Sequence, residues 1–250
     1  MSSKTFDEND YLTFICLEDG STISFSRMIE YSINGHLWQR LGENETLVVY
    51  KGQHISVKQT FIVVDIIYGA GIFKTSGKFN LCGNILSMRF GDNAKIEHDL
   101  SPSYAFAQLF RNNTSIVDCS LLKLPDTTLA SNCYYGMFFG CTSLTSAPEL
   151  PATTLAYSCY QSMFNDCTSL TSAPELPATT LANNCYEFMF NSCRNLNYIK
   201  MLATDISASN CLTDWVSGVA SSGTFVKHPN MTSLPTGVSG IPTGWTVVDN

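Results

Sequence analysis

Charge is scarce in this chain of 250 residues. Only 14% of its residues are charged, and 14 Lys plus Arg stand against 21 Asp plus Glu, for a net charge of −7. Such a balance disfavours phosphate backbones and anionic membrane surfaces, so nucleic-acid binding is not expected. Long hydrophobic runs are also missing. The longest, Phe61 to Phe73, carries Asp65 and is too short to span a bilayer. Met1 to Asp10 contain no apolar core of a secretory signal, which predicts a chain folded in the cytoplasm. No Cys-x-x-Cys spacing occurs, and His36, His54, His98 and His228 lie outside the repeats described next, so zinc-ligand spacing is absent. Gly-x-Ser-x-Gly, the phosphate-binding Gly-Lys-Ser/Thr loop and His-Glu-x-x-His are absent too. An enzyme is therefore not expected, and neither a cofactor nor a metal is called for.

What the chain has in abundance is repetition. Leu124–Glu149, Leu150–Glu175 and Leu176–Met201 align without a gap at a period of 26. Each copy opens with Leu-Pro, runs through Thr-Thr-Leu-Ala, and carries Cys-Tyr, Met-Phe and a second Cys. A decayed fourth copy keeps Leu202 and Cys211 and puts Trp215 in the Met slot. An opening copy, Tyr104 to Lys123, reads Leu109-Phe110 for Met-Phe and Asn113 for the second Cys, two residues out of phase.

Within the copies some positions hold and others drift. Cys133, Tyr134, Met137, Phe138 and Cys141 recur 26 and 52 residues on, whereas Ser131, Asn132, Tyr135, Gly136, Phe139 and Gly140 change. The held set falls at i, i+1, i+4, i+5 and i+8, which predicts a short helix from Asn132 to Cys141 with one buried stripe. Leu144 to Leu150, with Pro148 inside it, has room for a brief extended segment with Leu144, Ala147 and Leu150 inward. A strand plus a helix cannot bury its apolar side alone, so the copies are expected to stack as a solenoid. Cys133 and Cys141 would stand roughly 12 Å apart along such a helix, too far for a disulfide. The reading is a ladder of buried thiols.

The run Met137-Phe138-x-x-Cys141-Thr-Ser-Leu144-x-x-x-Pro148, three times over, resembles the leucine-rich repeat of BspA-like surface proteins. The likeness covers about residues 104–226. It implies a strand-and-helix repeat, attachment to host or neighbouring surfaces, and no catalysis.

Residues 11 to 97 differ. Tyr11–Leu17, Ser21–Ser26, Leu47–Tyr50, Ile55–Lys58, Phe61–Ile67, Lys78–Leu81 and Ile85–Phe90 read as short strands. Asn34-Gly35 within Glu30–Leu41 marks a hairpin with Trp38 beneath it. Closely spaced short strands predict a small all-β, sandwich-like unit. The fold expected is thus α+β: an N-terminal all-β domain (1–97), a leucine-rich-repeat solenoid with short strand plus short helix per repeat (98–226), and a C-terminal cap (227–250) that ends in a strand at Trp245-Thr-Val-Val.

Repeats act by presenting a regular surface. On the strand side the expected partner-binding residues are Thr145, Glu149, Thr171, Glu175, Asn197, Tyr198 and Lys200. On the other side Tyr135, Phe139, Tyr157 and Phe188 are expected to point outward. The function expected is a non-enzymatic adhesin or host-binding module for a surface glycan or protein. The alternative from the same residues is a structural fibre or decoration protein of a bacteriophage virion, in which case homo-oligomer or virion assembly follows. Cell surface or virion is the expected location.

Overall fold

A computed structural model describes residues 7, 10–58, 72–94, 100, 103–124 and 129–250. The expected strand Phe61–Ile67 lies outside the described residues. The N-terminal strands are β1 (Leu12–Cys16), β2 (Ser21–Phe25), β3 (Ile29–Ile33), β4 (Gln39–Leu41), β5 (Thr46–Val49), β6 (His54–Lys58), β7 (Phe73–Ser76) and β8 (Phe79–Asn84), followed by α1 (Ser87–Phe90) and β9 (Ile116–Lys123). Two sheets form, in the orders β4-β3-β6-β1-β8-β9 and β5-β2-β7. Alternation sets their faces: in β2, Ser21, Ile23 and Phe25 are buried while Thr22 and Ser24 are partly exposed. The sheets pack through Phe14 of β1 and Phe73 of β7, ring centroids 5.1 Å apart. Asn34 and Gly35 both take positive φ, 52° and 74°, as the tight turn between β3 and β4 requires.

Ile85–Phe90 is not the expected strand. A turn at Ile85–Leu86 leads into α1, and the Ser87 hydroxyl receives the Leu12 N–H at 2.8 Å and donates to the Val57 carbonyl at 3.0 Å, pinning the helix beneath β1 and β6. A short apolar run fits a buried strand or a buried turn equally well, and tertiary contacts chose.

The larger correction concerns the repeats. They do not form an α+β leucine-rich-repeat solenoid: the chain is mainly β, and among the described residues α1 is the sole α-helix and lies outside the repeats. The segment expected as a helix, Asn132–Cys141, is a chain of overlapping turns. Cys133, Tyr135, Met137, Phe139 and Cys141 donate their N–H groups three residues back, at 3.0–3.3 Å. The alternate residues Asn132, Tyr134, Gly136, Phe138 and Gly140 donate outward, to Tyr157, Cys159, Gln161, Met163 and Asn165 of the next copy, at 2.8–3.0 Å. Every peptide group of this segment is thereby satisfied, half locally and half between layers. One residue in four is left-handed: Asn132, Gly136 and Gly140, then Ser158, Ser162 and Asp166, then Asn184, Phe188 and Ser192. Each sits third in its turn, the place for positive φ in a type II turn.

A spacing of i, i+1, i+4, i+5, i+8 is a strict period of four as well as an approximate 3.6, which is why it reads as a helix. Two glycines in ten residues argued otherwise, since glycine costs a helix about 1 kcal/mol each.

The held side chains are buried, and like stacks on like. Phe106, Tyr134, Tyr160, Tyr186 and Trp215 form one column with centroids 5.7–6.4 Å apart. Phe110, Phe138, Phe164 and Phe190 form a second at 5.3–5.7 Å. Phe73 stacks on Phe110 at 5.1 Å, so the second column runs on into the N-terminal sheets, and one apolar cluster spans both regions. Beyond residue 97, β9 belongs to the six-stranded sheet, and its Cys119 N–H donates to the Ser146 carbonyl of the first repeat at 2.9 Å. A parallel sheet of β10 (Tyr198–Met201), β11 (Thr224–Lys227) and β12 (Thr246–Asp249) ends the stack.

Candidate functional site

The layers do not meet equally along the extended segments. Between the extended segments 171–177 and 197–203 the backbone is knitted: Ala173 N–H donates to the Tyr198 carbonyl at 2.9 Å, Leu176 N–H to Lys200 at 3.0 Å, and Leu202 N–H to Leu176 at 3.0 Å. Between the first and second repeats no backbone hydrogen bond joins 145–151 to 171–177 among the described residues. Pro148, Pro151, Pro174 and Pro177 fall here, whereas 197–203 carries no proline. A groove of about 430 Å³ opens at this place, lined by Ala147, Pro148, Glu149, Leu150, Pro151, Pro174, Glu175 and Pro177.

Its walls are apolar and its charges are carboxylates. Glu175 is half-exposed and paired with Lys200, Nζ to Oε2 3.1 Å. Glu149 is exposed and has neither an ion pair nor a hydrogen-bonded side-chain partner among the described residues.

Two of the residues expected to bind a partner, Glu149 and Glu175, thus line the groove, and a third, Lys200, is joined to it by the ion pair with Glu175. The other four lie on a neighbouring row. Thr145 donates its N–H and hydroxyl to the Val117 carbonyl at 2.8 and 2.9 Å, Thr171 accepts from the Asn197 N–H at 2.9 Å, and Asn197 accepts from the Thr224 N–H at 2.8 Å. Tyr198, 37% exposed, pairs with Ser172 on one side and Thr224 on the other. Tyr198 and Lys200, two apart on β10, face the same side and connect the row to the groove. The prolines were missed as site residues. Their signal was present, as Ala-Pro-Glu-Leu-Pro recurs at both junctions among the three clear copies.

The other expected surface is less open. Tyr157 is 52% exposed, but Tyr135, Phe139 and Phe188 are only partly so, and the Arg111 guanidinium lies 4.5 Å from the Phe139 ring.

The thiols are no part of a reactive centre. All ten cysteines are buried and free of disulfides. Cys141, Cys167 and Cys193 donate from Sγ to the carbonyls of Phe110, Phe138 and Phe164, one layer back, at 3.0–3.1 Å. A small donor is what this slot requires. Burial pushes the thiols of Cys133 and Cys141 up to about 12 and those of Cys119, Cys159, Cys167, Cys185 and Cys193 upward too. They stay protonated and non-nucleophilic at neutral pH.

No helix among the described residues is long and apolar enough to cross a membrane. No family model, curated protein or solved structure matches the chain.

Proposed function

We propose that the protein is a non-enzymatic attachment module that recognises a protein or glycan on the surface of a host or neighbouring cell, displayed on a cell surface or a virion. The observation that carries this reading is the open groove beside Pro148 and Pro174, lined by Glu149 and by Glu175, whose ion-pair partner Lys200 shares a face of β10 with the exposed Tyr198. A rigid backbone ladder flanks the groove, so a contact there costs little ordering, and an exposed tyrosine is a frequent interface anchor. Thiols held protonated by burial support binding rather than nucleophilic catalysis.

The test is binding of the purified chain to intact cells and to an arrayed glycan set, compared with Glu149→Gln and Tyr198→Ala. At least one substitution should weaken binding tenfold or more with thermal stability unchanged. Equal binding by both variants moves the contact elsewhere and removes the proposal.

A structural role in an assembly, as a fibre or decoration protein of a bacteriophage virion, is the second reading. It is favoured by β12, whose Val247 and Val248 are each 44% exposed at the outer edge of the parallel sheet. Unpaired apolar strand edges are pairing sites. Light scattering distinguishes the two: a monomer at all concentrations counts against assembly.

A further inference from the structure

The repeat offers an internal template for what its groove holds. In the 26-residue alignment Glu175 is the counterpart of Glu149, and Lys200 is the counterpart of Pro174. At Glu175 the following layer supplies an ammonium, with Lys200 Nζ 3.1 Å from the carboxylate. The Lys200 side chain is only 24% exposed, so its aliphatic stem is covered while its head reaches the acid. At Glu149 the following layer supplies a proline ring instead. That carboxylate stands beside apolar walls, and among the described residues neither Lys nor Arg is paired with it.

We infer that the groove takes a lysine side chain from an extended segment of a protein partner, its ammonium on Glu149 and its stem against Pro148, Leu150 and Pro174. This deepens the attachment reading and rests on it for biological meaning, though not for the binding itself. Three observations select this occupant. The groove is acidic within a chain of net charge −7, so a cation is complementary. Its walls are prolines and leucine, which suit a methylene stem better than a hydroxylated sugar. A divalent cation is disfavoured, because Ca²⁺ takes six to eight oxygen ligands and one of the two carboxylates is already engaged by Lys200.

Fluorescence anisotropy with a labelled Ser-Lys-Ser-Lys-Ser peptide tests this on the whole chain. The peptide should bind, Glu149→Gln should weaken it at least tenfold, and the ε-acetylated peptide should bind at least tenfold more weakly. Glu43→Gln, an exposed carboxylate in the N-terminal region, removes the same charge and should change nothing. Pro174→Lys supplies a resident ammonium where the third layer has Lys200 and should abolish binding. Because that variant touches a partly buried position, its melting curve is compared with wild type, and Glu149→Gln decides if it fails to fold. Equal binding to Glu149→Gln, or equal binding of the acetylated peptide, overturns the inference. Peptide binding without cell attachment would refute the attachment reading alone. Cell attachment that survives Glu149→Gln but not Tyr198→Ala would refute this inference alone.

Discussion

The N-terminal sheets and the 26-residue layers share one apolar core yet hold their backbones in register by different means. In the sheets, register comes from antiparallel pairing with period-two alternation, as in β1 against β6 and β8. A slip of one residue there turns every side chain over. In the layers, register comes from identity: the Tyr and Phe rings of one copy stack on those of the next, and a slip takes each ring off its column. The sheets tolerate varied sequence at one face, whereas the layers tolerate change only at residues outside the columns. Drift is confined to those positions, and half of the drifting positions in the first repeat, Asn132, Gly136 and Gly140, have a left-handed backbone.

Alkaline pH should separate the two regions most. Thiols whose pKa is raised by folding ionise in the unfolded chain first, so the unfolded state binds fewer protons above pH 9. Stability is fully present below the ordinary thiol value near 9. It falls from there toward about 12, by up to ~1.4 kcal/mol per pH unit for each such thiol. The layers hold Cys133, Cys141, Cys159, Cys167, Cys185 and Cys193, and Cys119 lies on β9 against them, so urea midpoints should drop steeply across that window. A flat profile between pH 8 and 11 would show that the thiols are not buried.

Core truncation comes next. Phe164→Ala in the layers and Phe14→Ala in the sheets, both fully buried, should each cost about 3–5 kcal/mol. Because one cluster joins the regions, each variant should shift a single transition. Two separated transitions by fluorescence and circular dichroism would break the picture of a shared core.

A smaller change has a diagnostic sign. Gly136 has φ +57° and a Cβ added there would meet only ordinary contacts, so Gly136→Ala isolates the backbone cost. It should destabilise by about 1–2 kcal/mol, whereas a helix at this place would gain about 1 kcal/mol. Gly140→Ala should cost more, because its Cβ would collide with the Asn112 side chain. Urea denaturation of both reads the sign directly.

The smallest expected effect is a gain. The Tyr134 and Tyr160 hydroxyls are buried and have no hydrogen-bond partner among the described residues. Tyr160→Phe keeps the stacked ring and removes the desolvated hydroxyl, so stability should rise by about 1 kcal/mol. A loss of that size would mean the hydroxyl is satisfied.

Much of this molecule was legible before any coordinates. The period of 26, the buried Cys, Tyr, Met and Phe positions, the phase jump of the opening copy and most N-terminal strands follow from residue spacing alone. The opening layer donates from Phe110 to Met137, 27 residues on, where later layers span 25, as its two-residue offset requires. The candidate site was partly legible: Glu149, Glu175, Tyr198 and Lys200 are all among the residues expected on the strand side, whereas the prolines that line the groove enter the sequence reading only as limits on the extended segment.

By itself, then, the amino-acid order determined which side chains lie inward and how often they recur, because a repeated apolar residue has its best neighbour in its own copy. Tertiary structure decided the conformation between them. Five residues spaced i, i+1, i+4, i+5, i+8 fit 3.6 and 4.0 alike, and only the presence of a layer alongside determines whether alternate N–H groups turn inward along the chain or outward to it. The same non-local choice pairs Lys200 with Glu175 and leaves Glu149 facing an open groove.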